Sequence, residues 1–543
     1  MVFARRSTTL LAAIVASCAM VLSLTACTSD NKTVVDGQTT VTSNSAGGVA
    51  VFTPSDGITL NQQTPLNKWA KLVPDLAKAL ADAGFKKGDI DHTTSDSLAK
   101  QSRAIQDFVV DHLSNNTTDD SGIAIAPDNM TLLVAPVVEA DASTRQYGDY
   151  VSQNLSTNDV TDEGATSDGE SSEDDSSKDD SSNTESDSTA SDEQAQAVDR
   201  LVSSLKLAKE SGMHVVLLGN SIEGYKPDAF VKFSDAQTIG KLQAEKMVSK
   251  LKLDKASKDN PKYIEVLLPY TAMDEKGNAN DSTFAQEAFR GIWQVLGSYY
   301  QKGVVESPSG TLDGKSTEND WQAVAYDAAK EGSTAKVLDK RLAKTDGQST
   351  LTRIDGIITM NDYIASEVVK ELDDLGYTGS AADINPQITI SGIVGNITGK
   401  KDLSRDAVPD PIKSPENDNA NDSSSSDDDA DKDTSASDKD RDSQWPLVTG
   451  YGAYVSNIPS IVNGKQWMTG MEDRQTIATD IAQACAKLNK DEALNSMPSI
   501  RNSEVGGVKK IPTISEPLLA VSAGNLKSAL IDPGYISLAD AGL

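Results

Sequence analysis

The sequence predicts an α/β protein built on two parallel, doubly wound sheets. Three observations carry this reading. Short apolar runs alternate with helical periodicity along most of the chain, the pattern of repeated βα units. The alternation starts near Gly48 and is repeated in the second half. The 543 residues, once an N-terminal region and two acidic blocks are set aside, come nearer two domains than one at about 150 residues per domain.

Taken in order, residues 49–52 form an apolar run that stops at Thr53-Pro54, and 69–84 place apolar side chains three and four apart with Gly84 as the stop. A second helix is expected over 97–113. The run 131–136 is apolar until its closing proline, as in a strand covered on both faces of a parallel sheet. After an acidic block the pattern resumes with a helix over 194–211 and a strand over 214–218, so the block interrupts one βαβ unit. The second half offers a strand at 264–268, helices over 283–301 and 321–344, and a strand at 354–359 running into Asn361-Asp362. A helix over 363–375 closed by Gly376, a strand at 388–391 and a second acidic block follow. The scheme ends with a strand at 447–450, an apolar run at 458–463 and an Ala-rich helix over 476–488.

The net charge of −31, from 81 acidic and 50 basic residues, is unevenly spread. Residues 159–193 carry 14 acidic side chains and one lysine, and 416–443 carry eleven acidic and three basic ones. These two blocks are Ser, Asp and Asn with almost nothing apolar, which predicts solvated, disordered spacers. Neither has the alternating ligands and sixth-position glycine of an EF-hand loop. A basic face for phosphate is missing, which argues against a nucleic-acid partner.

The N-terminus has Arg5-Arg6, an apolar stretch over 10–24, and closes on Leu24-Thr25-Ala26-Cys27. This is the layout of an export signal, and the L-T-A-C ending resembles the lipobox of bacterial lipoproteins. That resemblance implies a signal peptide over 1–26, diacylation of Cys27 and a flexible tether over 27–47, with two acyl chains giving stable anchoring at the extracytoplasmic face of the cell membrane. Of three cysteines, the resemblance implies that Cys18 leaves with the signal and that Cys27 carries the lipid. Cys485 is left alone, so no internal disulfide or cysteine metal cluster is expected.

Further along, residues 231–235 (Val-Lys-Phe-Ser-Asp) followed by 240–244 (Gly-Lys-Leu-Gln-Ala), the 354–362 run Ile-Asp-Gly-Ile-Ile-Thr-Met-Asn-Asp, and the tail Ile511-Pro512 through Glu516-Pro517 to Asp532-Pro533-Gly534-Tyr535 resemble type 1 periplasmic sugar-binding proteins, the xylose and multiple-sugar group of solute-binding lipoproteins. The match runs in order over about 48–543 apart from the acidic blocks. It implies two Rossmann-like lobes joined by a three-strand hinge. The N-terminal lobe is expected over 48–235 plus about 471–511, with an insertion at about 141–195. The C-terminal lobe is expected over 236–470 plus about 512–543, with an insertion at about 400–444. The ligand lies between the lobes at the carboxyl ends of the strands.

By position, the resemblance implies ligand contacts from Thr53, Trp69, Asn220, Gln286, Arg290, Asn361, Asp362, Tyr451 and Glu472, with Asn67 beside Trp69. The chain departs from the family where Asn220 and Ser221 replace an Asp-Arg pair and Gly452 replaces an aspartate. Asn361-Asp362 equally fits a helix N-cap, Trp69 a core position, and Gln286 with Arg290 an exposed helix face.

The implied function is delivery of a monosaccharide to an ABC permease and its ATPase by a membrane-tethered monomer. A tethered sugar or nucleoside sensor that signals to a partner protein is the alternative. No cofactor, metal or catalytic residue is expected. His92, His112 and His214 lack metal-ligand spacing, and residues 219–224 miss the nucleophile-elbow spacing by one residue.

Overall fold

The computed structural model describes residues 46–55, 65–115, 125–138, 144–151, 153–156, 185–270, 282–328, 330–343, 351–382 and 445–543, with the pairs 34–35 and 38–39. The chain divides into two units, Met1–Asn44 and Ser45–Leu543. In the first, Val34–Val35 and Gln38–Thr39 pair antiparallel. The expected signal peptide, Cys27 and the strand at 388–391 lie outside the described residues, as does most of both acidic blocks.

The larger unit begins with β1 (Gly48–Pro54), α1 (Trp69–Asp82), β2 (Ile90–Ser95), α2 (Leu98–Asn115), β3 (Met130–Val134), α3 (Glu185–Glu210), β4 (His214–Leu218) and β5 (Ala229–Lys232). It continues with α4 (Ala236–Leu251), β6 (Lys262–Val266), α5 (Thr283–Gln301), β7 (Val305–Glu306), α6 (Trp321–Val324), α7 (Ser333–Arg341), β8 (Gly356–Ile358), α8 (Asp362–Asp374), β9 (Leu447–Val448), α9 (Ile458–Val462) and β10 (Met468–Met471). The last elements are α10 (Arg474–Leu488), β11 (Ile500–Val505), β12 (Val508–Ser515) and β13 (Leu519–Ser522).

Seven strands form the first sheet in the order β11-β12-β5-β4-β3-β1-β2. All pair in parallel except the β11–β12 hairpin. Alternate strand residues face opposite sides. Val49, Val51, Leu133 and Val216 join α1 and α10 in one apolar cluster, which also buries Cys485. Ala50, Phe52, Leu132 and Val215 join α2 and α3 in another. Covering both faces explains the continuous apolar runs of β3 and β4, whereas β2 exposes Asp91, His92, Thr93 and Thr94 at the sheet edge.

The second sheet has the order β7-β6-β8-β9 and is wholly parallel. Ile264, Val266 and Ile358 pack on α4 and α5, and Leu267, Ile357 and Val448 pack on α7 and α8. Chain crossings between these lobes fall at β5 to α4, β10 to α10 and β12 to β13. β13 pairs antiparallel with β10, and Gly470 of β10 bridges to Tyr451 beyond β9. The architecture is the two-lobed, three-crossing one that the resemblance implies.

Four local expectations are corrected. The helix expected over 321–344 is two helices, α6 and α7, because Ala325–Tyr326 turns to pair in parallel with Leu268–Pro269. α3 begins at Glu185, so the helix reaches into the acidic block. Residues 144–151 and 153–156, expected inside the insertion at about 141–195, bury Tyr147, Tyr150, Val151 and Leu155. β12 stays in the first sheet as far as Ser515.

Helices α4 and α5 touch backbone to backbone at Gly240 and Gly291, where a Cβ would run into the carbonyl oxygens of Ala288 and Gln237. A backbone carbonyl has no rotamer to escape into. Gly291→Val is therefore expected to cost about 1–3 kcal/mol as overpacking, about 2–4 °C of Tm per kcal/mol. Scanning calorimetry reads this, and an unchanged Tm would show that the helices separate freely.

Candidate functional site

Two of the crossings meet at one buried carboxylate. Glu472, between β10 and α10, accepts from the Ser234 backbone N–H at 2.6 Å. The Tyr451 hydroxyl lies 2.5 Å from Ser234 Oγ and donates to Glu472 Oε1 at 3.4 Å. Asp235 and Asp473 then cap the first turns of α4 and α10 by accepting from Thr238 N and Thr476 N. Each helix therefore starts, with its end groups satisfied, immediately after the chain changes lobe. Burial pushes the Glu472 carboxyl up to about 7, against hydrogen bonds from Ser234 and Tyr451 that favour its charged form.

On the C-terminal side, the loop after β8 turns at Met360 and the loop after β9 turns at Ala453. Both residues are left-handed, with φ of +68° and +50°, and both are fully buried. Such conformations cost about 1–3 kcal/mol each and persist where the surroundings hold them. Asn361 caps α8 by accepting from Ile364 N at 2.9 Å. Its amide nitrogen is thereby free to donate elsewhere. Asp362, behind it, accepts from Tyr454 N at 2.9 Å, Gln466 Nε2 at 2.7 Å and Thr469 Oγ1 at 2.9 Å. Burial raises its carboxyl to about 6. Its oxygens hold the loop after β9 in place.

Residues 144–151 and 153–156 run between the strand ends of the two sheets. Tyr150 lies 5.0 Å from Trp69 and 4.8 Å from Phe233, centroid to centroid. Tyr147 lies 4.7 Å from Phe284 and 6.3 Å from Tyr451. Asn361 Nδ2 donates to Gln146 Oε1 at 3.1 Å, and the Tyr454 hydroxyl to the Gln146 carbonyl at 2.6 Å. Toward the first lobe, Asp149 pairs with Lys68 at 2.8 Å and accepts from Trp69 N at 3.1 Å. Asn220 Oδ1 accepts from Gln153 N at 3.0 Å, while its Nδ2 donates to the Pro136 carbonyl. Asn154–Leu155 pairs in parallel with Ser221–Ile222. At Gly148, with φ of +100°, a Cβ would lie 2.5 Å from the Asn67 carbonyl oxygen, so only glycine fits.

The segment thus brings Trp69, Asn220, Asn361 and Tyr451 together, with Glu472 one hydrogen bond behind Tyr451. Thr53 sits apart from it, 2.9 Å from His92 Nε2 across β1 and β2. Gln286 donates to Ser282, and Arg290 pairs with Glu287 on the same helix. Ser221 donates to Asn154, and the φ of +115° at Gly452 belongs to a left-handed turn.

Sequence reasoning missed Lys68, Gln146, Tyr147, Asp149, Tyr150, Phe233, Phe284 and Tyr454. The signal was two tyrosines around a glycine, Tyr147-Gly148-Asp149-Tyr150, in a stretch otherwise poor in aromatics. Among the described residues no group of three His, Cys, Asp or Glu side chains is placed to hold a metal ion.

No known family model matches the chain, and no curated protein matches it. Among solved structures it is similar to an ABC transporter solute-binding protein from Clostridium phytofermentans with bound β-D-glucose, at 17% identity over 91% of this chain and 99% of that one, TM-score 0.44. A carbohydrate transporter solute-binding protein from Chloroflexus aurantiacus in complex with D-glucose aligns at 18% identity over 92% and 98%, TM-score 0.42. A periplasmic ribose ABC transporter protein from Conexibacter woesei aligns at 13% identity over 90% and 96%, TM-score 0.42.

The hinge carboxylate sets a pH dependence whose sign follows from linkage. The folded-state value of Glu472, about 7, exceeds the ordinary 4.5, so the folded chain holds this proton more tightly than the unfolded one. The stabilisation is full below about 4.5 and is lost as pH rises through about 7. Calorimetry across that window is expected to show Tm falling with rising pH, and Glu472→Gln to flatten the fall. Asp362 has the same sign, so part of the slope remains; an unaltered slope in the variant would place the effect elsewhere.

Proposed function

We propose that this chain is a membrane-tethered solute-binding protein that takes a monosaccharide-class ligand in the cleft between its lobes and delivers it to a permease with its ATPase. One observation carries the reading. Residues following β4, β5, β8 and β9, strands drawn from two sheets linked by three crossings, converge on a single interlobe space. Hinge closure around such a space is how two-lobed binders bury a ligand. The groups presented there suit a hydroxylated molecule, with aromatic faces at Trp69, Phe233 and Tyr451 and an amide donor at Asn361. The reading includes no catalytic step. Attachment is assigned to a diacylated Cys27, on the lipobox-like ending Leu24-Thr25-Ala26-Cys27; among the described residues no helix is long and apolar enough to cross a membrane.

A second reading, a tethered sugar or nucleoside sensor that signals to a partner protein without transport, is favoured by Asn220. It stands where a charged grip on sugar hydroxyls is expected, and both ends of its amide are engaged by the chain itself.

Titration with pentoses, hexoses and nucleosides, read by thermal shift and calorimetry, tests the ligand class. At least one sugar is expected to raise Tm, and no response to any at millimolar concentration would overturn it. Asn361→Asp keeps the cap acceptor and loses the amide donor, so it is expected to weaken that sugar at least about tenfold, about 1.4 kcal/mol. Cys27→Ser is expected to move the protein from the membrane fraction to the soluble one; continued sedimentation with membranes would refute lipidation.

A further inference from the structure

We infer that residues 144–156 are a built-in occupant of the interlobe cleft, holding the two lobes together where a free ligand would, so that an external ligand binds by displacing them. The inference rests on the binding-protein reading for the identity of the displacing ligand, and on geometry alone for the occupancy.

Three features support it. The segment serves both lobes at once: Tyr147 and Val151 belong to the second lobe's apolar cluster, whereas Tyr150 and Leu155 belong to the two clusters of the first. It uses the polar groups at strand ends that a ligand would need, Asn361 and Tyr454 on one side and Asn220 and Lys68 on the other. It lies between Val134, the end of β3, and Glu185, the start of α3, so it can leave without pulling a strand from the seven-stranded sheet.

A tethered occupant competes at an effective concentration in the millimolar range for a short linker. If it fills the cleft in about 99% of molecules, an external ligand binds about 100-fold more weakly than to the vacant cleft.

The test uses the full-length chain and two variants, Tyr147→Ala/Tyr150→Ala and the milder Asp149→Ala, which removes the Lys68 pair from the occupant's side without touching either core. D-glucose, D-ribose and L-arabinose are the probes. Small-angle X-ray scattering is expected to show more open lobes in the double variant, and calorimetry at least one probe bound at least tenfold tighter than by the parent. In the parent, that probe should speed hydrogen exchange at the Tyr147 and Asp149 amides. Equal affinity in parent and variants, with those amides still protected in the sugar complex, would make the segment a fixed wall and overturn the inference. Lobes that stay closed in both variants would also overturn it. If no probe binds either form, but the double variant opens and a synthetic 144–156 peptide closes it again, the occupant stands and the sugar reading falls.

Discussion

The constraint on which the rest of this structure depends is the placement of one carboxylate, Glu472, where two lobe crossings run side by side. A carboxylate in a site this dry costs several kcal/mol unless donors surround it. The donors here are the Ser234 backbone N–H of the first crossing and the Tyr451 hydroxyl from the loop beyond β9. That geometry fixes the spacing of the crossings, aims the Tyr451 ring toward the cleft, and leaves Asp235 and Asp473 positioned to start the helices that follow. At these two crossings only residues 233–235 and 472–473 lie between a strand and the capped helix that follows.

The loops on the second lobe repeat the same device. Asp362, Gln466, Thr469 and Asn457 form a closed network in which one carboxylate anchors the loop carrying Tyr454. Adjacent residues divide the labour. Asn361 keeps a donor toward the cleft while Asp362 spends its acceptors inward, a split that residue type alone does not reveal.

The fold was legible because it rests on periodicity. β3 and β4 read as strands from unbroken apolar runs, α8 from its Asn361 start and Gly376 stop, and the lobes from the repetition of the scheme. The break between α6 and α7 was not legible, since it depends on Tyr326 pairing with a strand more than fifty residues earlier. Asn361 and Trp69 were identified by position within a resemblance, and their neighbours confirm only where they lie. Tyr147 and Tyr150 escaped notice for a physical reason. Their burial is conferred by Trp69, Phe233 and Phe284, three residues far off in sequence, so the local signal of two tyrosines around a glycine does not say what covers them.

The first sheet is completed by β12, which reaches β5 only after the second lobe has been threaded through. Its covering helix α10 arrives equally late to pack against α1. During synthesis, the first lobe therefore waits with one sheet edge and one apolar face open until residues near 515 emerge. Contacts this distant in sequence are slow to form, and the exposed edge is a liability in the interval. The second lobe, whose four sheet strands lie between Lys262 and Val448, can form its sheet sooner. A chain laid out in this way can complete the sheet of its second lobe before that of its first.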